Sequence, residues 1–182
     1  MLKDGILYLE NALTRDVCTR LCGWYDSTKS KGTQRDYNGN PVVYYNDEGA
    51  PRESLALLGS YAGLMLGEWF DYHGYLESVF LQRKGPGDII EPHYDNVKLD
   101  GETPNHTPYR AMSCLFYLST WDGGGEIVFP HQERSIHPGE GSFLAFPSGA
   151  PYLHYVEPVK KGQRYSAPVW FTNDKRLELK RR

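Results

Sequence analysis

Cysteine is scarce, with three residues in a chain of 182. An odd number cannot pair off completely, and Cys18 and Cys22 stand four apart at helical spacing, so all three are read as reduced thiols and a cytoplasmic location is expected. Long apolar runs are also missing. The most apolar stretch, residues 55–67, contains Ser60 and Tyr61 and is flanked by Glu53 and Glu68. It is too short to cross a hydrocarbon core of about 30 Å and reads as a buried helix, so no membrane partner is expected. The opening MLKDGILYLE carries Asp4 where a secretory leader needs apolar residues, and no small-residue cleavage site follows. Neither sign of charge dominates: twenty Lys and Arg against twenty-three Asp and Glu give a formal net charge of −3. Only the C-terminal Lys175, Arg176, Lys180, Arg181 and Arg182 form a basic group, expected to fray, so the electrostatic term that drives most nucleic-acid binding is absent. There is no internal repeat, low-complexity segment or linker.

What remains is ordinary globular composition, 40% hydrophobic and 24% charged, in a length that suits one domain over 1–182 and a monomer or weak dimer. Such a chain buries enough surface to fold without a disulfide or structural metal, so a metal, if present, is free to be functional. Two helices come first. Thr14 can cap a helix that carries Asp16 in its first turn and Val17, Leu21 and Trp24 at helical spacing, ending near residues 27–29. Pro51 and Glu53 suit the first turn of a second helix, through about Asp71, with Leu55, Leu58, Ala62, Met65, Leu66 and Trp69 on one face. Between them Asn38-Gly39, flanked by Asp36-Tyr37 and residues 42–45, signals a hairpin, expected to form a two-strand flap in which Tyr37, Tyr44 and Tyr45 cluster. Residues 1–75 thus supply helical support and flap.

After Gly74 short runs rich in Val, Ile, Phe, Tyr and Leu alternate with Gly and Pro, near 77–84, 88–95, 109–119, 125–129, 134–137, 142–147, 151–157 and 163–172. Eight strands at this spacing over 76–174 predict a mainly β (α+β) fold, a double-stranded β-helix or jelly roll, with the two N-terminal helices packed on one sheet. The polar loop 96–108 is a candidate lid.

Within the predicted strand 88–95, His93 and Asp95 are two apart and project to the same face. A later strand carries His154. Two imidazoles and one carboxylate occupy one face of an octahedron and leave positions open, the ligand set of a catalytic non-haem Fe(II) site. A further strand places Arg164, Ser166, Pro168 and Trp170 on one face. If that face is inward, the guanidinium needs an anionic partner, and no acidic residue of the chain obviously provides it. A ligand carboxylate gripped by Arg164 and Ser166 would. The other histidines, His73, His106, His131 and His137, lack partners at ligand spacing, with His106 in the loop placed to meet substrate.

These pieces resemble the 2-oxoglutarate and Fe(II)-dependent dioxygenases of the prolyl 4-hydroxylase-like branch. The resemblance rests on Gly87-x5-His93-x-Asp95, Leu115-Phe116-Tyr117-Leu118-Ser119, Gly124-Gly125-Glu126-x-Val128-Phe129-Pro130, Pro138-x2-Gly141-x-Phe143, His154-x-Val156-x-Pro158 and Arg164-Tyr165-x4-Trp170-Phe171. They stand in the family's order over residues 78–172. The resemblance implies that His93, Asp95 and His154 hold iron and that Arg164 grips the far carboxylate of 2-oxoglutarate. It implies consumption of O2 and 2-oxoglutarate, release of succinate and CO2, and hydroxylation of an unactivated C–H bond, with ascorbate as a possible reductant. The chain departs from the pattern at Lys84, where a tyrosine is common, and at Ile127, where many relatives have threonine. Lys84 becomes a candidate second cation for the cosubstrate.

The expected substrate is a peptidyl residue such as proline. The alternatives are a free amino acid or small metabolite, or a non-catalytic jelly-roll binding module, against which the intact set of four side chains argues. A nucleic-acid demethylase is disfavoured because such relatives usually carry a second arginine six residues after the first, where this chain has Trp170.

Overall fold

In a computed structural model the residues described are 1–31, 34–36 and 38–180. Gly32, Thr33, Tyr37, Arg181 and Arg182 lie outside them, and with them part of the expected tyrosine cluster and of the basic tail.

Thr14 caps α1 (Arg15–Thr28), its side chain accepting from the Val17 backbone N–H, and Asp16 sits in the first turn. Cys18, Leu21 and Tyr25 form the buried stripe. Helix α2 (Arg52–Phe70) starts after Pro51 and stops where Asp71 takes a left-handed conformation, φ 51°. The eight anticipated strands are all present: β5 (Tyr75–Lys84), β6 (Ile90–His93), β7 (Arg110–Tyr117), β8 (Ile127–Phe129), β9 (Arg134–Ile136), β10 (Phe143–Pro147), β11 (His154–Val156) and β12 (Arg164–Thr172). Four more precede them: β1 (Leu2–Lys3), β2 (Ile6–Leu9), β3 (Gln34–Arg35) and β4 (Pro41–Tyr44).

An antiparallel eight-stranded sheet runs β1-β2-β10-β7-β12-β5-β4-β3 and faces a four-stranded sheet β6-β11-β8-β9. The strands of the large sheet are two-sided. Cys114, Phe116, Ala167 and Val169 point to the helices and share a core with Leu21, Leu55 and Ala62. Tyr117, Leu144 and Phe146 point the other way and pack against Ile127, Phe129 and Val156 of the small sheet. This is the expected jelly roll with helices covering one sheet.

The flap expectation needs correcting. The Asn38-Gly39 hairpin exists, with Gly39 at φ +80°, but β4 pairs with β5 inside the large sheet, and Val43 and Tyr45 are core. The loop spans residues 36–40 because Asp36 closes it: its Oδ1 accepts from the Asn38 and Asn40 backbones at 2.9 Å each. The loop is also docked onto the turn that leads into β6. Asn38 exchanges two hydrogen bonds with the Ile89 backbone, and Asn40 donates to Asp88 at 2.7 Å. Asp36 Oδ2 receives Lys84 Nζ at 2.6 Å, and both side chains are buried.

Removing one partner of a buried ion pair leaves the other charge uncompensated. Asp36→Ala is therefore expected to destabilise the fold by about 3 kcal/mol, read by urea denaturation. The Asp36→Ala/Lys84→Met double variant should recover most of that loss. A double variant as unstable as the single would show that the pair's charge is not the reason.

Candidate active site

His93 closes β6 and His154 opens β11, and the two face each other in the antiparallel register. Their rings lie 4.2 Å apart between centroids. Asp95 is not inside a strand, as the sequence had suggested: β6 ends at His93 and the chain turns. The turn is tied down instead, by Asp95 N–H donating to Ser148 O at 2.9 Å and Thr107 Oγ1 donating to Asp95 O at 2.8 Å. His93 Nε2 comes to 3.7 Å from Asp95 Oδ1, and His154 Nε2 to 3.9 Å from Oδ2. One ligand atom from each residue falls within 4.8 Å of the others, close enough to hold a single metal ion.

The surroundings prepare each group for that task. His93 Nδ1 lies 2.8 Å from Glu91 O and His154 Nδ1 3.1 Å from Tyr152 O. An Nδ1–H donating to each carbonyl leaves the Nε2 lone pair for a metal. Burial, then the neighbouring His93, pushes the His154 pKa down to about 4, so the ring is neutral at pH 7. Burial works to raise the Asp95 carboxyl, but His154, His93 and the Ser113 hydroxyl outweigh it and hold it below its ordinary value. Ser113 Oγ donates to Asp95 Oδ2 at 2.5 Å and lies 2.8 Å from the Ser148 hydroxyl. The carboxylate is thus oriented by Ser113 of β7, itself beside the buried Ser148 just past the end of β10.

Arg164 supplies the second half of the site. Its side chain is fully buried, and among the described residues Nε and both terminal nitrogens have no partner within hydrogen-bond distance. The guanidinium lies 5.0 Å from the ring centre of Tyr117 and 5.5 Å from that of Trp121. The buried Tyr117 hydroxyl likewise has no partner within hydrogen-bond distance among the described residues, and the guanidinium is the charge that acts on it. Room for this arrangement comes from Gly125, at φ +70°, where a Cβ would fall 2.7 Å from Trp121 Nε1 and 3.3 Å from Arg164 Cδ. Burial works to lower the guanidinium pKa and the adjacent Tyr117 phenol partly opposes it, and arginine does not deprotonate in proteins. A buried cation flanked by an unpaired phenol is what a carboxylate ligand would complete.

Ser166 lies next along the same strand face, fully buried, accepting from Gln82 Nε2 at 3.1 Å and keeping its own O–H to give. Lys84 is the β-sheet partner directly opposite Arg164, but its ammonium is engaged by Asp36. Pro168 and Trp170, further along, line a cavity of about 350 Å³ that also contains the three candidate ligands. Arg110 forms another wall, stacked 3.9 Å over the Trp170 ring and 3.3 Å from Glu77. His106 reaches the same cavity from the 96–108 loop. His73 and His137 lie elsewhere, beside Asp71 and Glu126, and His131 meets the Tyr94 hydroxyl.

Ser113, Tyr117, Arg110 and Ser148 escaped the sequence reading as site residues. A signal for two of them exists. Ser113, Leu115 and Tyr117 alternate along β7 on the face opposite Cys114 and Phe116, so a hydroxyl pair on an otherwise apolar inner face marks a polar site.

A jelly roll with two histidines on neighbouring strand ends, a carboxylate in the turn beside them and a buried arginine on β12 defines a mononuclear metal oxygenase site. The chain belongs to the 2OG-Fe(II) oxygenase superfamily, whose family model matches residues 79–172. It is 34% identical over 105 residues to prolyl 3-hydroxylase 2 of Gallus gallus, a match that covers 51% of this chain and 15% of that protein's length. Among solved structures, the viral collagen prolyl hydroxylase from Paramecium Bursaria Chlorella virus-1 superposes with a TM-score of 0.74 at 20% identity, covering 94% of this chain and 97% of that one. A Pseudomonas putida prolyl-4-hydroxylase gives 0.69 at 19% identity, covering 93% of each. These structures share the fold.

Partners that orient a metal-binding carboxylate typically contribute 10–100-fold to metal affinity. Ser113→Ala should weaken Co(II) binding, followed by the visible absorption of the bound ion, by about tenfold, while Ser113→Thr should stay near wild type. Equal affinity in all three would show that the hydroxyl does not set the Asp95 carboxylate.

Proposed function

We propose that this chain is a 2-oxoglutarate-dependent dioxygenase that hydroxylates a C–H bond of a peptidyl residue, proline first among candidates, and releases succinate and CO2. The observation that carries the reading is the His93, Asp95 and His154 cluster in the cavity together with a fully buried Arg164, facing no carboxylate among the described residues, on the strand that brings Pro168 and Trp170 to that cavity. The prolyl hydroxylases to which the chain is similar support the choice of proline.

In this reading iron and 2-oxoglutarate, when bound, supply the oxidising chemistry, with O2 as the other substrate and ascorbate as an auxiliary reductant. The protein's part is orientation and exclusion. His93 and His154 would offer Nε2 to the metal and Asp95 its carboxylate, held by Ser113. Arg164 would take the far carboxylate of the cosubstrate, with hydroxyls from Ser166 and Tyr117 giving further hydrogen bonds. Lys84, balanced by Asp36, would add positive potential behind Arg164 rather than a direct contact. Leu115, Ile127 and Val156 line the cavity and keep water from the reacting centre. Trp170 and Arg110 form the wall against which a substrate ring would rest.

Incubating the protein with Fe(II), 2-oxoglutarate and proline-containing peptides should release succinate and add one oxygen to a peptide by mass spectrometry. His93→Ala should abolish this. Arg164→Ala should weaken 2-oxoglutarate binding about a hundredfold or more and leave metal binding near wild type. Turnover of free amino acids with none on peptides would overturn the peptidyl assignment, and cosubstrate affinity unchanged in Arg164→Ala would overturn the anchor.

A further inference from the structure

β6 is an edge strand of the small sheet. The chain leaves it into the 96–108 loop, which the structure shows to be a braced turn rather than a loose lid. Asp100 Oδ1 accepts from the Glu102 and Thr103 backbones at 3.0 and 2.8 Å, and Thr103 Oγ1 donates to Asp100 Oδ2 at 2.6 Å. Val97 bridges Pro104, and the Asn105 amide donates to Tyr94 O and Val97 O, 3.3 Å each.

This braced turn nevertheless holds Leu99 out to solvent, 68% exposed. A lone exposed leucine is ordinary. Leu99, however, shares a groove of about 480 Å³ with Val97, Pro92 and Ile90, running between the turn and β6. Ile90, His93, Tyr94, Asn105 and His106 line both this groove and the cavity with the candidate metal ligands, so the two adjoin across these residues. Glu91 and Lys98 put one charge of each sign along the groove, which favours no charged partner. A free amino acid beside the cosubstrate needs the inner cavity alone. An extended polypeptide lying along the edge strand needs a path out, and an apolar strip on a fixed turn gives it one.

We propose that this groove is a docking subsite for an apolar side chain of an extended polypeptide substrate, flanking the residue that is oxidised, and that Leu99 is a specificity-determining contact. The inference rests on the peptidyl reading above and adds where, and by what chemistry, the flanking sequence is recognised.

The test uses acetylated proline-centred peptides in which a single leucine is scanned through an alanine background. Affinity is measured by fluorescence anisotropy of labelled peptides and turnover by mass gain. Leucine at one flanking position should tighten binding and lower KM about tenfold or more relative to the all-alanine peptide. Leu99→Ser should bring the two peptides together, in binding as in KM. Peptides that are hydroxylated with no leucine preference, or with a preference that Leu99→Ser retains, would overturn the groove assignment while leaving the peptidyl reading in place. Turnover of free proline with none on any peptide would overturn both.

Discussion

A guanidinium shut inside a β-sandwich with no carboxylate beside it among the described residues, and only the Tyr117 phenol facing it, is the constraint around which the rest of this molecule is arranged. Burying a charge without a partner costs several kcal/mol even after relaxation. Arg164 stays charged, and the aromatic faces of Tyr117 and Trp121 offset only part of that cost. The sequence around it accommodates the arrangement at specific points. Gly125 leaves out the Cβ that would strike Trp121, and Gly124, at φ +68°, passes so near Pro158 that any side chain would collide with its carbonyl. Gly125 thereby lets Trp121 and Arg164 pack side by side, while Gly124 serves the turn that passes Pro158.

The metal-binding half obeys a different logic, that of fixed direction. Both imidazoles bond backbone carbonyls through Nδ1, and the carboxylate is held by Ser113, itself beside Ser148. The two halves are joined by the large sheet: Ser113 and Tyr117 stand on the same face of β7, and Arg164 stands on the neighbouring β12. The docked 36–40 loop adds a brace at the other end, fixing the turn before β6 through Asn38, Asn40 and Asp36. Rigid strands and short bridges thus set the geometry, which suits a site where a small misplacement of reacting groups is costly.

Much of this was legible in the residues alone. Strand periodicity located all eight strands after Gly74, because alternating apolar residues with Gly and Pro punctuation report a half-buried pleat directly. The inward face of β12 was readable for the same reason. The strands β1 and β2 were not anticipated, although Asp4-Gly5 carries the same turn chemistry as Asn38-Gly39. Both residues sit at positive φ, 52° and 74°, between Lys3 and Ile6, which pair directly. Where the reading failed, long-range contacts decided. Nothing local says that β4 adds to β5, that Asp36 reaches Lys84 forty-eight residues away, or that the 96–108 segment is cross-braced. Asp95 outside its strand shows that convergence of ligands can be set by a turn as well as by pleat alternation.

The central claim is that Arg164 is kept at a cost to the empty fold for the sake of a carboxylate. Equilibrium unfolding of the wild type and of Arg164→Met, each with and without 2-oxoglutarate and a divalent metal, tests it most directly. The account predicts that Arg164→Met is at least as stable as wild type in the absence of ligand, and that 2-oxoglutarate stabilises the wild type and not the variant. An Arg164→Met protein that is markedly less stable without ligand, yet gains the same stabilisation when 2-oxoglutarate is added, would contradict it.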